Sequence, residues 1–189
     1  MQFTSLLAFL GAAATAAANS VTFDSLDSTD RTIYFVPTAG KQEIDSVSVP
    51  AGKQIKVEFP QSWIGNWYAV STGAEKTTGM LGEVTFQGWN GMTYFDVSAI
   101  VNPNDVHGVK KMWPASAKTP TSGCDLYSCP EAYYLWDDVQ TKVTEETDLF
   151  CSLGENGLTS LIGKREDGVE EPEEAPAVKR AFVLGGWEA

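Results

Sequence analysis

Short segments rich in β-branched and aromatic residues, separated by glycine and proline turns, fill the first half of this chain. Residues 32–36 and Gln54–Phe59 are typical, and the second segment alternates polar and apolar residues as a half-buried strand does. Turn-type sequences at residues 38–40 and 50–52 lie between such segments. No helical period is sustained in this half. The pattern therefore predicts an all-β fold, a β-sandwich of antiparallel strands.

The predicted strands have defined limits. They cover residues 21–23, 32–36, 47–49, 54–59, 67–70, 83–86 and 93–97, and a hairpin connection is expected at residues 88–91. Beyond Ser98 the chain becomes rich in loops. There, Cys129-Pro130 is a reasonable helix start and predicts a short helical turn over residues 131–136. Residues 150–153 are expected to close the sheet.

Both ends of the chain differ from the middle. Residues 1–18 combine a short apolar core with a run of small residues, which predicts a secretory signal peptide. The sandwich domain is expected to span residues 19–163. Residues 164–189 form an acidic tail with prolines, for which disorder is expected. Its two basic pairs, Lys164-Arg165 and Lys179-Arg180, are candidate sites for a kexin-type processing protease. The chain is therefore expected to be secreted, extracellular or in the cell wall.

The net charge of −12 limits the classes of molecule that the protein is expected to bind. A surface this acidic repels nucleic acid and anionic membranes, so neither is an expected partner. Neutral polysaccharide or an extracellular protein remains compatible, and a monomer is expected. The single histidine, His107, has no metal-ligand spacing around it and is expected to lie in an exposed loop. No metal and no cofactor are expected.

Three cysteines allow at most one internal disulfide. Cys124 and Cys129 flank a short turn and are the expected pair, since a secreted chain passes through an oxidising compartment. Cys151 is expected to be a buried small hydrophobic residue. A thiol that is free or paired with another chain is the alternative.

Two sequence blocks resemble the thaumatin-like family. The first, residues 129–138, reads Cys-Pro-Glu-Ala-Tyr-Tyr-Leu-Trp-Asp-Asp. The second, residues 81–98, contains Gly-Glu-Val-Thr-Phe and Tyr-Phe-Asp-Val-Ser. The resemblance is good between about Trp63 and Cys151, and it implies a disulfide-poor, fungal member with a thaumatin-like sandwich. It also implies an acidic cleft that binds β-1,3-glucan.

Four carboxylates and one tryptophan are the candidate glycan-binding residues. The resemblance implies that Glu83 and Asp96 lie on neighbouring strands, where side chains on one face can lie opposite each other. They are also the candidate catalytic pair, because two carboxyls with different pKa values can act as acid and as base or nucleophile. The alternative is that Glu83 faces water and Asp96 caps a turn. Asp137, Asp138 and Trp89 complete the set, with Trp89 offering a flat ring for sugar stacking.

The chain departs from the family pattern at two cleft positions. Asn66 is expected where the family has an arginine, and Val101 is expected near the family's second aspartate, with Asn102 or Asp105 as spatial substitutes. Without the arginine, the carboxylates lose a cation that would lower their pKa values. The first hypothesis is therefore a secreted protein that binds β-1,3-glucan without hydrolysing it. The alternatives are a weak endo-β-1,3-glucanase and a non-enzymatic secreted antigen or effector.

Overall fold

The computed structural model describes residues 18–155, and within them the regular secondary structure is almost entirely β-strand. The eleven strands of this part are β1 (Asn19–Ser25), β2 (Arg31–Pro37), β3 (Val47–Val49), β4 (Gln54–Phe59), β5 (Ile64–Ser71), β6 (Leu81–Thr85), β7 (Thr93–Ser98), β8 (Val109–Pro114), β9 (Ser122–Gly123), β10 (Lys142–Thr144) and β11 (Asp148–Leu153). A single 3-10 turn, Trp89–Gly91, lies between β6 and β7. The predicted signal peptide and acidic tail lie outside the described residues.

The strands form two sheets. A five-stranded sheet has the order β4-β1-β11-β8-β9, and a six-stranded sheet has the order β10-β7-β6-β5-β2-β3. Pairing is antiparallel except between β1 and β11, which run parallel from Ser20–Asp148 to Ser25–Leu153. The expected all-β sandwich is confirmed.

An aromatic cluster joins the two sheets. Phe23 of the five-stranded sheet meets the Phe35 and Trp67 rings of the six-stranded sheet edge-on, at centroid distances of 5.9 and 5.6 Å. Phe59 contacts the buried Trp63 ring at 5.0 Å. A β-carbon added at Gly82 would lie 2.5 Å from the Trp67 indole nitrogen, so this position requires glycine. Edge-to-face packing of this kind adds specific geometry to a large buried apolar area.

The strand predictions hold for the first half of the chain and fail locally after it. The sequence did not indicate β8, β9 or β10, which are short or polar. The helical turn predicted over residues 131–136 is wrong. Instead, the Tyr133 N–H donates to the Val97 carbonyl at 3.0 Å, and the Tyr133 carbonyl accepts from Ala99 N–H at 2.8 Å. Since both backbone groups of Tyr133 pair with the end of β7, they are not free for helical hydrogen bonds.

The cysteines adopt the expected arrangement. Cys124 and Cys129 form a disulfide, and Cys151 is a free thiol that is completely buried on β11. Burial raises the pKa of the Cys151 thiol to about 12. The neutral thiol is therefore a poor nucleophile and packs as an apolar residue.

A buried arginine, which sequence analysis did not single out, ties two loops together. Arg31 is fully buried at the start of β2. Its guanidinium donates to both carboxylate oxygens of Asp27, at 2.8 and 2.6 Å. It also donates to the carbonyl oxygens of Thr29 at 2.9 Å and His107 at 2.6 Å. The bidentate geometry and the two carbonyls satisfy most of the guanidinium donors, as a buried charge requires.

Candidate functional site

Three polar residues lie in one row across the six-stranded sheet. Asn66 on β5 is the register partner of Glu83 on β6, and Glu83 is the partner of Asp96 on β7. Side chains of directly opposed residues on one face of a sheet come within contact distance. The structure thus brings together Glu83 and Asp96, which sequence analysis proposed as the centre of a cleft.

The row forms the floor of a cleft of about 270 Å³ on the outer face of the sheet. It is lined by residues from β5, β6 and β7 and from two flanking loops. They are Thr38, Ile64, Gly65, Asn66, Glu83, Val84, Thr85, Tyr94, Asp96 and Thr141. The cleft has the size of a small polar ligand or of one or two sugar rings and lies at the lower end of small-molecule sites.

Asp96 is the buried member of the carboxyl pair. Its side chain is only 8% exposed. Burial, followed by the charge of the neighbouring Glu83 carboxylate, raises the pKa of Asp96 to about 7. Thr141 and the charge of Lys142 act in the opposite direction. Asp96 therefore holds its proton up to near neutral pH, because a buried carboxyl beside a negative charge resists ionisation.

The hydroxyl groups of Tyr133 and Thr141 form a chain that ends at one carboxylate oxygen of Asp96. The other oxygen has no hydrogen bond among the described residues. The Thr141 hydroxyl donates to Asp96 Oδ2 at 3.3 Å, and the Tyr133 hydroxyl lies 2.8 Å from the Thr141 oxygen. Asp96 Oδ1 is buried and has no hydrogen-bond partner among the described residues. An orphaned acceptor at the floor of a cleft is costly unless water or a ligand hydroxyl reaches it.

Trp89 is an exposed residue whose backbone contacts a residue of the cleft. It is 77% exposed in the 3-10 turn. The Tyr94 hydroxyl, from a residue that lines the cleft, donates to the Trp89 carbonyl at 3.3 Å. Trp63 and Trp67, in contrast, are buried in the core.

The other predicted acids do not line this cleft. Asp138 Oδ2 accepts from the backbone N–H groups of Tyr134 and Leu135, at 2.8 Å each. Asp137 is exposed in the same turn. Asp105 accepts from Met80 N–H at 2.8 Å and Gly108 N–H at 2.9 Å. Both Asp138 and Asp105 therefore organise loops.

The remaining features to place are His107, any cluster of metal-binding side chains and any membrane-spanning helix. His107 is exposed, and its carbonyl accepts from Arg31. Residues 18–155 hold no cluster of three or more histidine, cysteine, aspartate or glutamate side chains suited to a metal ion. In the same part of the chain, no helix has the length and apolarity needed to cross a membrane.

Sequence analysis missed the contributions of Thr38 and Thr141 to the cleft. Neither threonine belongs to a recognisable motif, and both come from loops that the fold carries to the ends of other strands. Only the sheet order, which places β10 beside β7, brings Thr141 next to Asp96. No local signal would have found them.

Comparison with known proteins identifies a sequence relative of this chain. No family model matches it. A relative is 56% identical to this chain over 142 residues. The matched region covers 74% of this chain and 99% of the relative. This chain therefore belongs to the same family as that relative, the antigenic protein SchS21 of Stachybotrys chartarum.

A solved structure shares the fold. The protein elicitor MoHrip2 of Magnaporthe oryzae matches with a TM-score of 0.52 over 72% of this chain and 98% of its own. The two sequences are 15% identical, so this likeness concerns the fold alone.

Proposed function

We propose that the protein is secreted and acts outside the cell by binding, without catalysis, as an antigen- or elicitor-type protein. The observation that carries this proposal is the 56% identity over 142 residues to a relative that is named an antigenic protein. A glucanase would need its two carboxyls about 5–5.5 Å apart if it retains the anomeric configuration and about 6.5–9.5 Å apart if it inverts it, and the assay below tests that alternative.

The names of the two similar proteins support the same proposal. One is named an antigenic protein and the other a protein elicitor. The Cys124–Cys129 disulfide fits an oxidising route to the outside of the cell. We therefore propose that another organism recognises this chain as a folded extracellular protein.

The absence of catalysis has a direct test. We expect that the purified protein releases no reducing sugar from β-1,3-glucan and still triggers an oxidative burst in leaf tissue. We further expect the burst to be unchanged in the double variant Glu83→Gln, Asp96→Asn, because the response requires the surface of the fold and not proton transfer. Sugar release that disappears in Glu83→Gln would instead establish a hydrolase.

Glycan binding is a second candidate function, favoured by the surroundings of the cleft. Tyr94 lines the cleft together with Glu83 and Asp96, and its hydroxyl donates to the backbone carbonyl of Trp89, whose indole is exposed. Flat rings pack on the apolar faces of sugars while polar groups fix their hydroxyls. The unpaired Asp96 Oδ1 offers one such acceptor. A neutral β-glucan is the glycan class that we propose.

Single substitutions distinguish this candidate. We expect Glu83→Gln to weaken binding to insoluble β-1,3-glucan by about one to two orders of magnitude, since a charged hydrogen bond contributes roughly 1.5–3 kcal/mol. Trp89→Ala should weaken it independently through lost stacking. Trp136→Ala is the matched control, because Trp136 is 87% exposed and does not line the cleft. Co-sedimentation measures all three. Equal binding by the Trp89 and Trp136 variants and by Glu83→Gln would remove the cleft from glycan recognition.

A further inference from the structure

A second surface, away from the cleft, displays large apolar side chains to solvent. It lies on residues 124–139, here called the Trp136 loop. Four side chains in this short stretch are mostly exposed: Leu126 62%, Leu135 61%, Trp136 87% and Val139 89%. Large apolar side chains concentrated on one exposed segment are typical of interaction sites.

The loop is held in this shape by its own polar and aromatic groups. Its ends are tied by the Cys124–Cys129 disulfide and by the Asp138 carboxylate, which binds the Tyr134 and Leu135 N–H groups. These backbone hydrogen bonds lower the pKa of Asp138 below its usual value. The exposed side chains are therefore presented by an ordered frame.

An aromatic pair fixes the two halves of the loop to each other and to the sheet. The Tyr127 and Tyr134 rings lie 6.4 Å apart, and the Tyr134 hydroxyl accepts from Cys129 N–H at 3.0 Å. The Tyr127 hydroxyl donates to the Lys110 carbonyl on β8 at 2.6 Å. Leu126 and Leu135, the sequence neighbours of these tyrosines, are thereby brought to the same region.

The charge of the loop indicates what it binds. Residues 124–139 contain four carboxylates and no lysine or arginine, and only Asp125 among them has an ion-pair partner in the described part of the chain, Lys111 at 2.8 Å. A second copy of this loop, or an anionic membrane, would place like charges together. The complementary ligand is apolar and basic.

The chain itself contains a segment of that chemistry. Residues 179–187 read Lys-Arg-Ala-Phe-Val-Leu-Gly-Gly-Trp, with two cations followed by four large apolar side chains. Its tether begins near the loop, because Gly154 N–H donates to the Gly108 carbonyl at 2.9 Å, two residues before Lys110, whose carbonyl accepts from the Tyr127 hydroxyl. Residues 156–178 span up to roughly 75 Å when extended, far more than a return to the loop requires.

We propose that the Trp136 loop is the docking site of residues 179–187 of the same chain. Leu135, Trp136 and Val139 contact the apolar side chains of the segment, and Asp137 with Glu131 faces Lys179 and Arg180. Occupation of the loop in this way covers an apolar surface that the fold otherwise leaves in water. Cleavage at either basic pair would then uncover it.

Photo-crosslinking in the complete chain tests the docking. Trp136 is replaced by the photoreactive residue p-benzoylphenylalanine, and intact mass first verifies that residues 164–189 are present. Irradiation at low protein concentration should give an intramolecular link that maps to residues 179–187. The same replacement at Trp89, which is also exposed, is the matched control and should give no link to that segment.

Charge reversal in the segment supplies the second arm. Lys179→Glu with Arg180→Glu should lower the crosslink yield about three- to tenfold, as expected for two exposed ion pairs. Lys164→Glu with Arg165→Glu makes the same change of net charge outside the segment and should leave the yield unaltered. Equal losses in both variants, no link to residues 179–187, or links only between two molecules would each overturn the proposal. So would co-sedimentation with phosphatidylcholine vesicles that Trp136→Ala abolishes, since it would assign the surface to lipid.

Discussion

Replacement of Arg31 by methionine should lower the free energy of unfolding by about 3–5 kcal/mol. Methionine fills part of the space but leaves Asp27 without its cation and leaves the Thr29 and His107 carbonyls without their donors. Burial raises the pKa of Asp27, but the hydrogen bond and charge of Arg31, with backbone N–H groups, outweigh it and hold this pKa below 3.8. Urea denaturation at pH 7 measures the loss.

An exposed lysine provides the comparison for Arg31. Lys56 is 53% exposed and pairs with Asp148 at 3.4 Å, so Lys56→Met should cost less than about 1 kcal/mol. The Arg31 cost should also shrink at low pH. The contribution of Asp27 is present above its unfolded pKa and is lost as pH falls through its lower folded pKa. Equal costs for the two substitutions would contradict a central role for Arg31.

Asp96 should make the fold less stable as the pH rises through neutrality. Its folded pKa of about 7 lies above the ordinary value of 3.8, so the folded state binds a proton that the unfolded state releases. The stabilisation is complete below about pH 4, declines as the pH rises, and is gone above about pH 7. A shift of this size corresponds to about 4 kcal/mol at most. Urea denaturation between pH 4 and pH 8 follows the decline.

The variant Asp96→Asn should remove this dependence. Its amide stays neutral at every pH, so the variant should exceed the parent in stability at pH 8 by about 2–4 kcal/mol. Glu83→Gln should flatten the profile in part, because the burial of Asp96 remains. Asp137→Asn, at an exposed position outside the cleft, should leave the profile unchanged. Parallel profiles for Asp96→Asn and the parent would show that Asp96 does not hold this proton.

The sequence predicts the strands in the first half of this fold well, because their residue types and their alternation are typical of β-strands. In Gln54–Phe59 the alternation of polar and apolar residues matches the observed burial, with Val57 and Phe59 buried. The prediction fails at residues 131–136, where a reasonable helix start is overridden by pairing with the end of β7. That pairing is a tertiary contact, and a local propensity does not contain it.

The candidate site is predictable only where strand register decides it. Glu83 and Asp96 lie on adjacent strands linked by a short turn, so their opposition follows from local sequence. Thr141 reaches the same cleft from a distant loop, and Asp138 turns back to its own backbone. The thaumatin-like resemblance located the carboxyl pair but left the roles of the other acids as proposals.

The parallel pairing of β1 with β11 imposes an order of assembly. Ser20 meets Asp148 across 128 positions of sequence, so the middle of the five-stranded sheet cannot form until the last strand has been synthesised. The strands β5, β6 and β7 of the other sheet pair through short connections and are complete much earlier. Long-range pairings of this kind slow folding and leave edges unpaired in the meantime. One edge of β1 therefore stays without its neighbour strand until residues 148–153 have left the ribosome.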